Sequence, residues 1–200
     1  SGSPLSKRDG AASLADLREQ GYLAGSICNY LLRLGHASGV EGWLDLDAMP
    51  GHFDLGRVSH SAARFDEAQL RHWQREGLNR ATTADLQRWL GSRLDAITDP
   101  AAREAFVTVV RGNLLLPADV EPWVRVVYDD AIAVGPEASA AITQAGAEFF
   151  AQAEVAWAAS APDFKAWTRA VAAATGTRGA SLYMPLRAAL TGETHGPELA

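Results

Sequence analysis

The sequence is short of cysteine and of long apolar runs, and each shortage excludes a class of protein. A single cysteine, Cys28, excludes an internal disulfide framework and a cysteine-based zinc site. No apolar run approaches the roughly 18 residues that a membrane-spanning helix requires. Residues 1–4 read Ser-Gly-Ser-Pro and lack the charged and apolar regions of a signal peptide. We therefore expect a cytoplasmic protein without a membrane partner.

The sequence also lacks a surplus of basic charge. Its formal net charge is −6 and its pI is about 5.3. Residues 1–100 carry 11 Lys and Arg against 13 Asp and Glu, and residues 101–200 carry 7 against 11. A nucleic-acid-binding domain often has a basic surplus. If the protein binds RNA, the contact must be a local basic patch on an acidic body.

Helical periodicity is what the sequence has in abundance. Apolar residues recur at helical spacing, Pro and Gly punctuate the segments, and no stretch alternates with period two. Ser13 is predicted to cap a helix that ends at Gly21, and Thr83 to cap a later one. Asp99-Pro100 starts another helix and is a candidate domain boundary. Further helices are predicted over residues 22–34, 66–77, 101–115, 120–133, 136–159, 162–174 and 181–190. Another is predicted over residues 44–53, with an interruption near Pro50-Gly51. The predicted fold class is all-α, with two helical lobes.

A short polar loop at residues 5–10, Leu-Ser-Lys-Arg-Asp-Gly, has the residue types of a phosphate contact. Lysine is a compact point charge and arginine a planar fork, and both can neutralise charge on a leaving pyrophosphate. As an isolated motif, the loop is equally typical of a solvated basic turn.

The residues that follow this loop, and two further stretches later in the chain, change its interpretation. Residues 5–35 read LSKRDGAASLADLREQGYLAGSICNYLLRLG, residues 57–66 read RVSHSAARFD, and residues 176–199 read GTRGASLYMPLRAALTGETHGPEL. Together they resemble the glutamyl-tRNA synthetases, a family of class I aminoacyl-tRNA synthetases. The first matches the segment that begins with the Lys-Met-Ser-Lys-Ser-type loop, and the last matches the closing motif of the anticodon-binding domain.

The resemblance implies a glutamate–tRNA ligase that uses ATP with Mg²⁺, of which this chain is the C-terminal, tRNA-binding part. Lys7 would be the catalytic lysine, and Leu5, Ser6, Arg8 and Asp9 would complete the ATP-binding loop. Residues 1–10 would end a catalytic domain that is missing, 11–99 would form a helical stem-contact domain, and 100–200 a C-terminally truncated anticodon-binding domain. We expect a monomer whose partner is glutamate tRNA or glutamine tRNA, with no ATP bound to this part alone.

Candidate tRNA contacts follow from the motifs and from residue chemistry. Two arginines and a histidine lie in the second motif, where the histidine replaces the family's usual lysine. Trp123 follows Glu121-Pro122 at a helix start, whereas the other tryptophans fall mostly on apolar stripes typical of a core. The last motif adds two arginines, for which an intramolecular salt bridge is the alternative. The set is Arg57, His60, Arg64, Trp123, Arg178 and Arg187. The five histidines lack the spacing of a zinc site, so no metal is predicted.

Several features depart from the family's pattern. Pro4 stands directly before Leu5, and the stretch Trp73-Gln74-Arg75-Glu76 differs from the family's Asn-Gly-rich version. These departures suggest a divergent paralogue, of the kind that charges glutamine tRNA with glutamate. The sequence also lacks the His-x-Gly-His motif and the glutamate-binding residues of class I synthetases, so we expect the chain alone to be catalytically inactive. The alternative function is a helical interaction module that has lost RNA binding, which the acidic charge favours.

Overall fold

The predicted all-α fold is confirmed. The structure is a computed structural model that describes residues 13–59, 63–129 and 131–197. Those ranges contain nine α-helices and no β-strand, only an isolated antiparallel bridge between His36 and Val58. No helix within them is long and apolar enough to cross a membrane. The chain divides after Val120 into two compact units, unit 1 before that point and unit 2 after it.

The described residues of unit 1 form five α-helices. They are α1 (Leu14–Gln20), α2 (Ala24–Arg33), α3 (Glu67–Arg80), α4 (Thr83–Leu90) and α5 (Pro100–Val110). Polar side chains cap four of their N-termini. Ser13 and Asp16 form the predicted capping box of α1, and the helix ends at the left-handed Gly21. Asp66 caps α3 and Asp99 caps α5.

The predicted cap of α4 is displaced by one residue. Thr82, not Thr83, is the N-cap, and it forms a capping box with Asp85. The reason is spacing: the Thr82 hydroxyl accepts a hydrogen bond from the Asp85 amide three residues on, and the Asp85 carboxylate accepts one from the Thr82 amide. The Thr82 hydroxyl also donates to the Asp85 carboxylate, and this bond, together with the one from the Thr82 amide, lowers the pKa of Asp85.

The core of unit 1 lies where α2 packs against α3. Leu17, Tyr22, Tyr30, Leu70 and Trp73 form one buried cluster. Two fully buried amides complete it. The side chain of Asn29 donates to the Leu44 carbonyl at 2.8 Å and accepts from the Leu44 amide at 2.9 Å, so it fixes the chain that follows α2. The Gln74 side chain accepts from the Leu23 amide, which precedes α3 in the chain, and donates to the Leu115 carbonyl, which follows it.

The segment between α2 and α3 is less helical than predicted. In place of a helix over residues 44–53, the structure has two short 3-10 helices, Met49–His52 and Leu55–Arg57. Pro50 has no amide hydrogen to donate, and the Asn29 amide holds Leu44 outside any helix. His36, at the end of α2, stacks on Phe53 with 5.0 Å between ring centroids. The segment therefore folds back onto the end of α2.

The division between the compact units falls between Val120 and Glu121, whereas the boundary expected from the sequence falls between Asp99 and Pro100. The helix start at Asp99-Pro100 is present as predicted. However, α5 packs against α4 and buries Phe106, Val107 and Val110. The Arg111 guanidinium also bonds to the Ala81 carbonyl, just before α4. Because α5 shares its core with α4, it belongs to unit 1.

In unit 2, the part that the structure describes forms four α-helices. They are α6 (Glu121–Tyr128), α7 (Pro136–Ser160), α8 (Phe164–Thr175) and α9 (Ala180–Thr191). The last three pack on one another around Phe149, Trp167, Val171, Leu182 and Leu186. The predicted continuous helix over residues 136–159 is interrupted, since Gly146 has φ +80° and ψ 165°. Glycine adopts this non-helical conformation without a Cβ penalty, so it divides α7 into two helical parts.

Candidate nucleic-acid interface

Six of the predicted site residues lie outside the described part of the chain. They are Leu5, Ser6, Lys7, Arg8 and Asp9 of the predicted ATP loop, together with His60. Their roles stay predictions. The other five, Arg57, Arg64, Trp123, Arg178 and Arg187, can be placed.

Arg57 and Arg64 are exposed on unit 1, near the end of α2. The Arg57 Nε atom lies 3.6 Å from a carboxylate oxygen of Asp54, and both side chains are more than half exposed. An exposed ion pair of this kind contributes about 0–1 kcal/mol. It would therefore cost little for Arg57 to leave Asp54 for a phosphate. The Arg57 backbone is fixed, because its carbonyl accepts from the Ala37 amide at 3.3 Å.

Trp123 lies on α6 of unit 2 and is half-buried. Its six-membered ring packs against the backbone of Gly196, so closely that a Cβ on Gly196 would lie 2.1 Å from the Trp123 Cη2 atom. The ring is therefore partly covered by the segment that follows α9. A base could stack only on the part of the ring that this segment leaves open.

Arg187 is turned inward on α9. Its Nη2 atom donates to the Pro197 carbonyl at 2.8 Å. Its Nη1 atom is buried, and no hydrogen-bond partner for it lies among residues 13–59, 63–129 and 131–197. The observed contact is intramolecular, as in the alternative weighed from the sequence, but its acceptor is a backbone carbonyl and not a carboxylate. Arg187 thus holds Pro197 against α9.

Arg178 is exposed in the turn between α8 and α9. The Ser181 hydroxyl fixes this turn by donating to the Arg178 carbonyl at 2.8 Å. A cavity of 460 Å³ opens beside the turn, between α7 and α9. Its lining combines polar side chains with apolar ones, among them Gln144, Phe149, Thr177, Ser181 and Met184. In unit 2, the exposed Arg178 therefore lies beside a cavity that is lined by both polar and apolar side chains.

A cation–π contact between Arg33 and Trp73 in unit 1 was not predicted. The Arg33 guanidinium lies 4.1 Å from the centre of the Trp73 ring. It also donates to the Asn29 side chain at 3.0 Å and to the Gly42 carbonyl. Burial lowers the pKa of Arg33. The i, i+4 spacing of Asn29 and Arg33 was the available signal, but only the fold brings Trp73 to them.

Five of the six tryptophans are buried or half-buried, in line with their place on apolar stripes. Trp73 and Trp167 are buried, and Trp43, Trp89 and Trp123 are half-buried. Trp157 is the exception, at 43% exposed, although its ring contacts Trp167 edge to face. Within the described ranges, no three His, Cys, Asp or Glu side chains are placed to hold a metal ion.

Comparison with known proteins identifies the second part of the chain. The profile of the family described as "Anticodon binding domain" matches residues 81–200. The chain belongs to this family. The anticodon-binding match takes in α4 to α9, so it begins inside unit 1 and includes all of unit 2. It contains Trp123, Arg178 and Arg187, whereas Arg57 and Arg64 precede it.

Relatives of this anticodon-binding chain match it along its whole length. The chain is 45% identical over 199 residues to glutamate–tRNA ligase 2 of Nitrosococcus oceani, covering 100% of the chain and 42% of that relative. It is 43% identical over 198 residues to glutamate–tRNA ligase 1 of Halorhodospira halophila, covering 99% of the chain and 41% of that relative. The resemblance predicted from the three motifs is confirmed, and the chain spans less than half the length of these relatives.

Solved structures support the fold of the anticodon-binding chain. A glutamate–tRNA ligase from Elizabethkingia meningosepticum, solved in complex with its amino acid, has a TM-score of 0.79 at 21% identity. The likeness covers 100% of this chain and 45% of that one. A glutamate–tRNA synthetase from Elizabethkingia anophelis has a TM-score of 0.74 at 22% identity, covering 97% and 40%. At such low identities, these structures show the shared fold alone.

Proposed function

We propose that this chain is the tRNA-binding part of a cytoplasmic, monomeric glutamate–tRNA ligase. The observation that carries the proposal is the 45% identity to a glutamate–tRNA ligase over the whole chain, together with the anticodon-binding match at residues 81–200. In that reaction, a carboxylate oxygen of glutamate attacks the α-phosphorus of ATP and releases pyrophosphate. The glutamyl group then passes from the adenylate to the 3′ end of the tRNA.

In this proposal the helices position tRNA and contribute little covalent chemistry. Exposed arginines are well suited to phosphates, because their planar guanidinium groups donate hydrogen bonds in pairs. Arg57 and Arg64 would contact the tRNA from unit 1. Arg178 would do so from unit 2, beside its cavity, and Trp123 and Arg187 would support the segment around Gly196 and Pro197. We assign residues 11–99 to a stem-contact role and 100–200 to anticodon binding.

ATP and Mg²⁺ enter the proposal only through the rest of the protein. Lys7 would contact the ATP phosphates, with Leu5, Ser6, Arg8 and Asp9 shaping its loop. The structure does not describe these residues, so no step of the reaction is derived from their geometry. The proposal does predict that the 200-residue chain alone forms no glutamyl adenylate, because it lacks a His-x-Gly-His motif. Glutamate-dependent ATP–pyrophosphate exchange above background would contradict this.

Binding to tRNA is the direct test of the proposal. Neutralised phosphates release counterions, so we expect the affinity of the chain for transcribed tRNA to fall steeply as salt rises. Replacing one phosphate-contacting arginine should weaken binding and reduce the slope of log K against log salt by about 1. We therefore expect Arg64→Gln and Arg178→Gln each to have this effect. The measurement is a fluorescence titration at several salt concentrations.

Arg75 provides the matched control for these variants. It is also an exposed arginine, on α3, and it lies outside the three motifs that carry the resemblance. Arg75→Gln makes the same change of charge and should leave the salt slope unchanged. If all three variants reduce binding equally, the effect reflects net charge and not a defined interface. If the unaltered chain binds no tRNA even at low salt, the acidic interaction module becomes the better interpretation.

The proposal also specifies which tRNA is charged. Departures from the family at Pro4, His60 and residues 73–76 support a divergent paralogue that charges glutamine tRNA with glutamate. Charging assays on the full-length parent protein, with glutamate tRNA and glutamine tRNA as separate acceptors, decide between the two. A parent protein that charges glutamate tRNA alone would contradict the paralogue hypothesis and leave the binding function intact.

A further inference from the structure

A second cavity in unit 2 is lined almost entirely by apolar side chains. It has a volume of 330 Å³ and lies between α7, α8 and α9. Four of its lining residues are aromatic, namely Phe150, Trp157, Phe164 and Trp167. Cavities that bind small molecules are mostly apolar, occupy about 300–1,000 Å³ and contain a few placed polar groups. This cavity, which we call the aromatic cavity, therefore has the size and the lining of a small-ligand site.

The rings of the aromatic cavity stand at steep angles to one another. The centroids of Trp157 and Trp167 are 5.3 Å apart with 77° between the ring planes, and those of Phe164 and Trp167 are 5.5 Å apart with 66° between the planes. Trp167 is buried, whereas Trp157 is 43% exposed and Phe164 is half-buried. The two outer rings therefore leave part of their surface open to a ligand.

The aromatic cavity offers almost nothing to an anion. No lysine, arginine or histidine lines it. The indole nitrogen of Trp167 already donates to the Ala153 carbonyl at 2.8 Å, which leaves the Trp157 indole as the one side-chain donor in the lining. A phosphate would find no cation here. The aromatic cavity is therefore unsuited to the tRNA backbone.

The one charged residue that lines the aromatic cavity is negative. It is Glu154, which is exposed on α7 three residues before Trp157. Among residues 13–59, 63–129 and 131–197, no cation is paired with its carboxylate. The face of an aromatic ring is also a region of negative potential. The carboxylate and the rings therefore favour the same kind of ligand, because both attract positive charge.

We propose that the aromatic cavity binds a small organic cation with an apolar body, such as a quaternary ammonium ion. The charged group would lie against the open surface of Trp157 beside Glu154, and the apolar body would enter the space between α7, α8 and α9. The cavity shares no lining residue with the 460 Å³ cavity near Arg178, and none of its lining residues is a predicted tRNA contact. This site is therefore separate from the proposed tRNA interface.

Titration with benzyltrimethylammonium, followed through the indole N–H signals in NMR spectra, tests this site. We expect the signals of Trp157 and Trp167 to shift and to saturate. The signal of Trp89 in unit 1, where the indole donates to the Gly21 carbonyl, should stay in place. Phenylmethanesulfonate has the same benzyl group and a negative charge, so it should cause no saturable shift. An equal response to the two probes, or a response to neither, would overturn the proposal.

Variants of the lining separate the contributions of the charge and of the rings. Glu154→Gln should weaken binding of benzyltrimethylammonium about two- to fivefold, as expected for an exposed charge pair. Glu148→Gln is the matched control, because Glu148 is an exposed glutamate on the same helix that does not line the cavity. It should leave the affinity unchanged. Equal affinities of the two glutamine variants would contradict recognition of the charge.

Trp157→Leu should weaken binding of the cation by about tenfold, since it removes a ring face that holds positive charge. Ala189→Leu tests the same cavity without removing a ring. Ala189 is an exposed lining residue on α9, so the larger side chain should occupy part of the cavity and leave the fold intact. It should also weaken binding. Wild-type affinity in Ala189→Leu would show that the cation binds elsewhere.

Two other occupants of the aromatic cavity give different results in the same spectra. A Trp157 signal that shifts with protein concentration, in the absence of any cation, would assign the cavity to a contact between two copies of the chain. Binding of benzyltrimethylammonium to the 200-residue chain but not to the full-length parent protein would assign it to another segment of that protein. Either result would overturn the proposal. The titration uses neither tRNA nor ATP, so it is decided independently of the proposed function.

Discussion

Replacing Gly192 by alanine is expected to destabilise unit 2 far more than the same change at Gly176. Both glycines end a helix in the left-handed conformation, Gly192 after α9 with φ 72° and ψ 2°, and Gly176 after α8 with φ 71° and ψ 6°. In each case the glycine amide donates to the carbonyl four residues earlier at 2.9 Å. The backbone penalty for alanine, about 1–2 kcal/mol in this conformation, is therefore the same at both positions.

The two sites differ in what a new methyl group would meet. At Gly176, no heavy atom lies within 4 Å of the position that a Cβ would take, whereas at Gly192 the Ala133 carbonyl oxygen lies 2.1 Å away and Ile132 Cγ2 2.8 Å away. The obstacle at Gly192 is backbone, and the Gly192 carbonyl also accepts from the Gly135 amide at 3.0 Å. The chain between α6 and α7 would have to move. Overpacking of this kind costs typically about 1–3 kcal/mol beyond the backbone penalty.

Calorimetry of the two alanine variants measures the difference. For a unit of this size, about 1 kcal/mol corresponds to roughly 4–8 °C in Tm. We expect Gly176→Ala to lower the Tm of unit 2 modestly and Gly192→Ala to lower it by about twice as much or more. Exchange of the α9 amides would assign the transition to unit 2. Equal Tm values for the two variants would show that the close approach of Gly192 to Ala133 does not exist in solution.

Helix ends were the most predictable part of the fold. The Ser13 capping box, the stop at Gly21 and the start at Asp99-Pro100 rest on hydrogen bonds between residues close in sequence, so the local pattern contains all the information required. The segment after α2 was not predictable in the same way. Its conformation depends on the Asn29 side chain, which bonds to Leu44 15 residues later. Nothing near Leu44 in the sequence indicates that partner.

In the candidate site, too, the sequence predicts some features and not others. The motifs were sufficient to select Arg57, Arg64 and Arg178, which are exposed as phosphate contacts need to be. They were not sufficient to show that Arg187 bonds to Pro197 or that Gly196 covers part of the Trp123 ring, because both contacts depend on how the chain turns after α9. Whether these residues bind tRNA stays a prediction.

Replacing Gln74 is expected to destabilise unit 1 strongly. Its side chain is fully buried on α3, where nothing in the local sequence pattern indicates a buried polar residue. Its oxygen accepts from the Leu23 amide at 3.0 Å, and its nitrogen donates to the Leu115 carbonyl at 3.0 Å. One side chain therefore joins the turn before α2 to the chain after α5. It stands in the stretch Trp73–Glu76, where the sequence departs from the family.

We expect Gln74→Leu to leave the half-buried Leu23 amide and Leu115 carbonyl without these partners. Each orphaned group costs about 1–3 kcal/mol, so a loss of roughly 2–6 kcal/mol in the free energy of unfolding of unit 1 should follow. Gln69→Leu is the matched control, because Gln69 is an exposed glutamine on the same helix. Its effect should stay within about 0.5 kcal/mol. Urea unfolding followed by tryptophan fluorescence measures both, and equal midpoints would contradict the bridging role.

Gln74→Glu adds a test with a defined dependence on pH. The new carboxyl group has nearly the same shape, and in its protonated form it can accept from Leu23 and donate to Leu115. Burial and the facing carbonyl raise its pKa in the folded state above the value of about 4.3 expected for an unfolded chain. The variant is therefore expected to be closest to the wild type below that pH and to lose stability progressively as the pH rises through the folded pKa. A constant stability difference between variant and wild type from acid to neutral pH would show that residue 74 does not face the Leu115 carbonyl in a buried site.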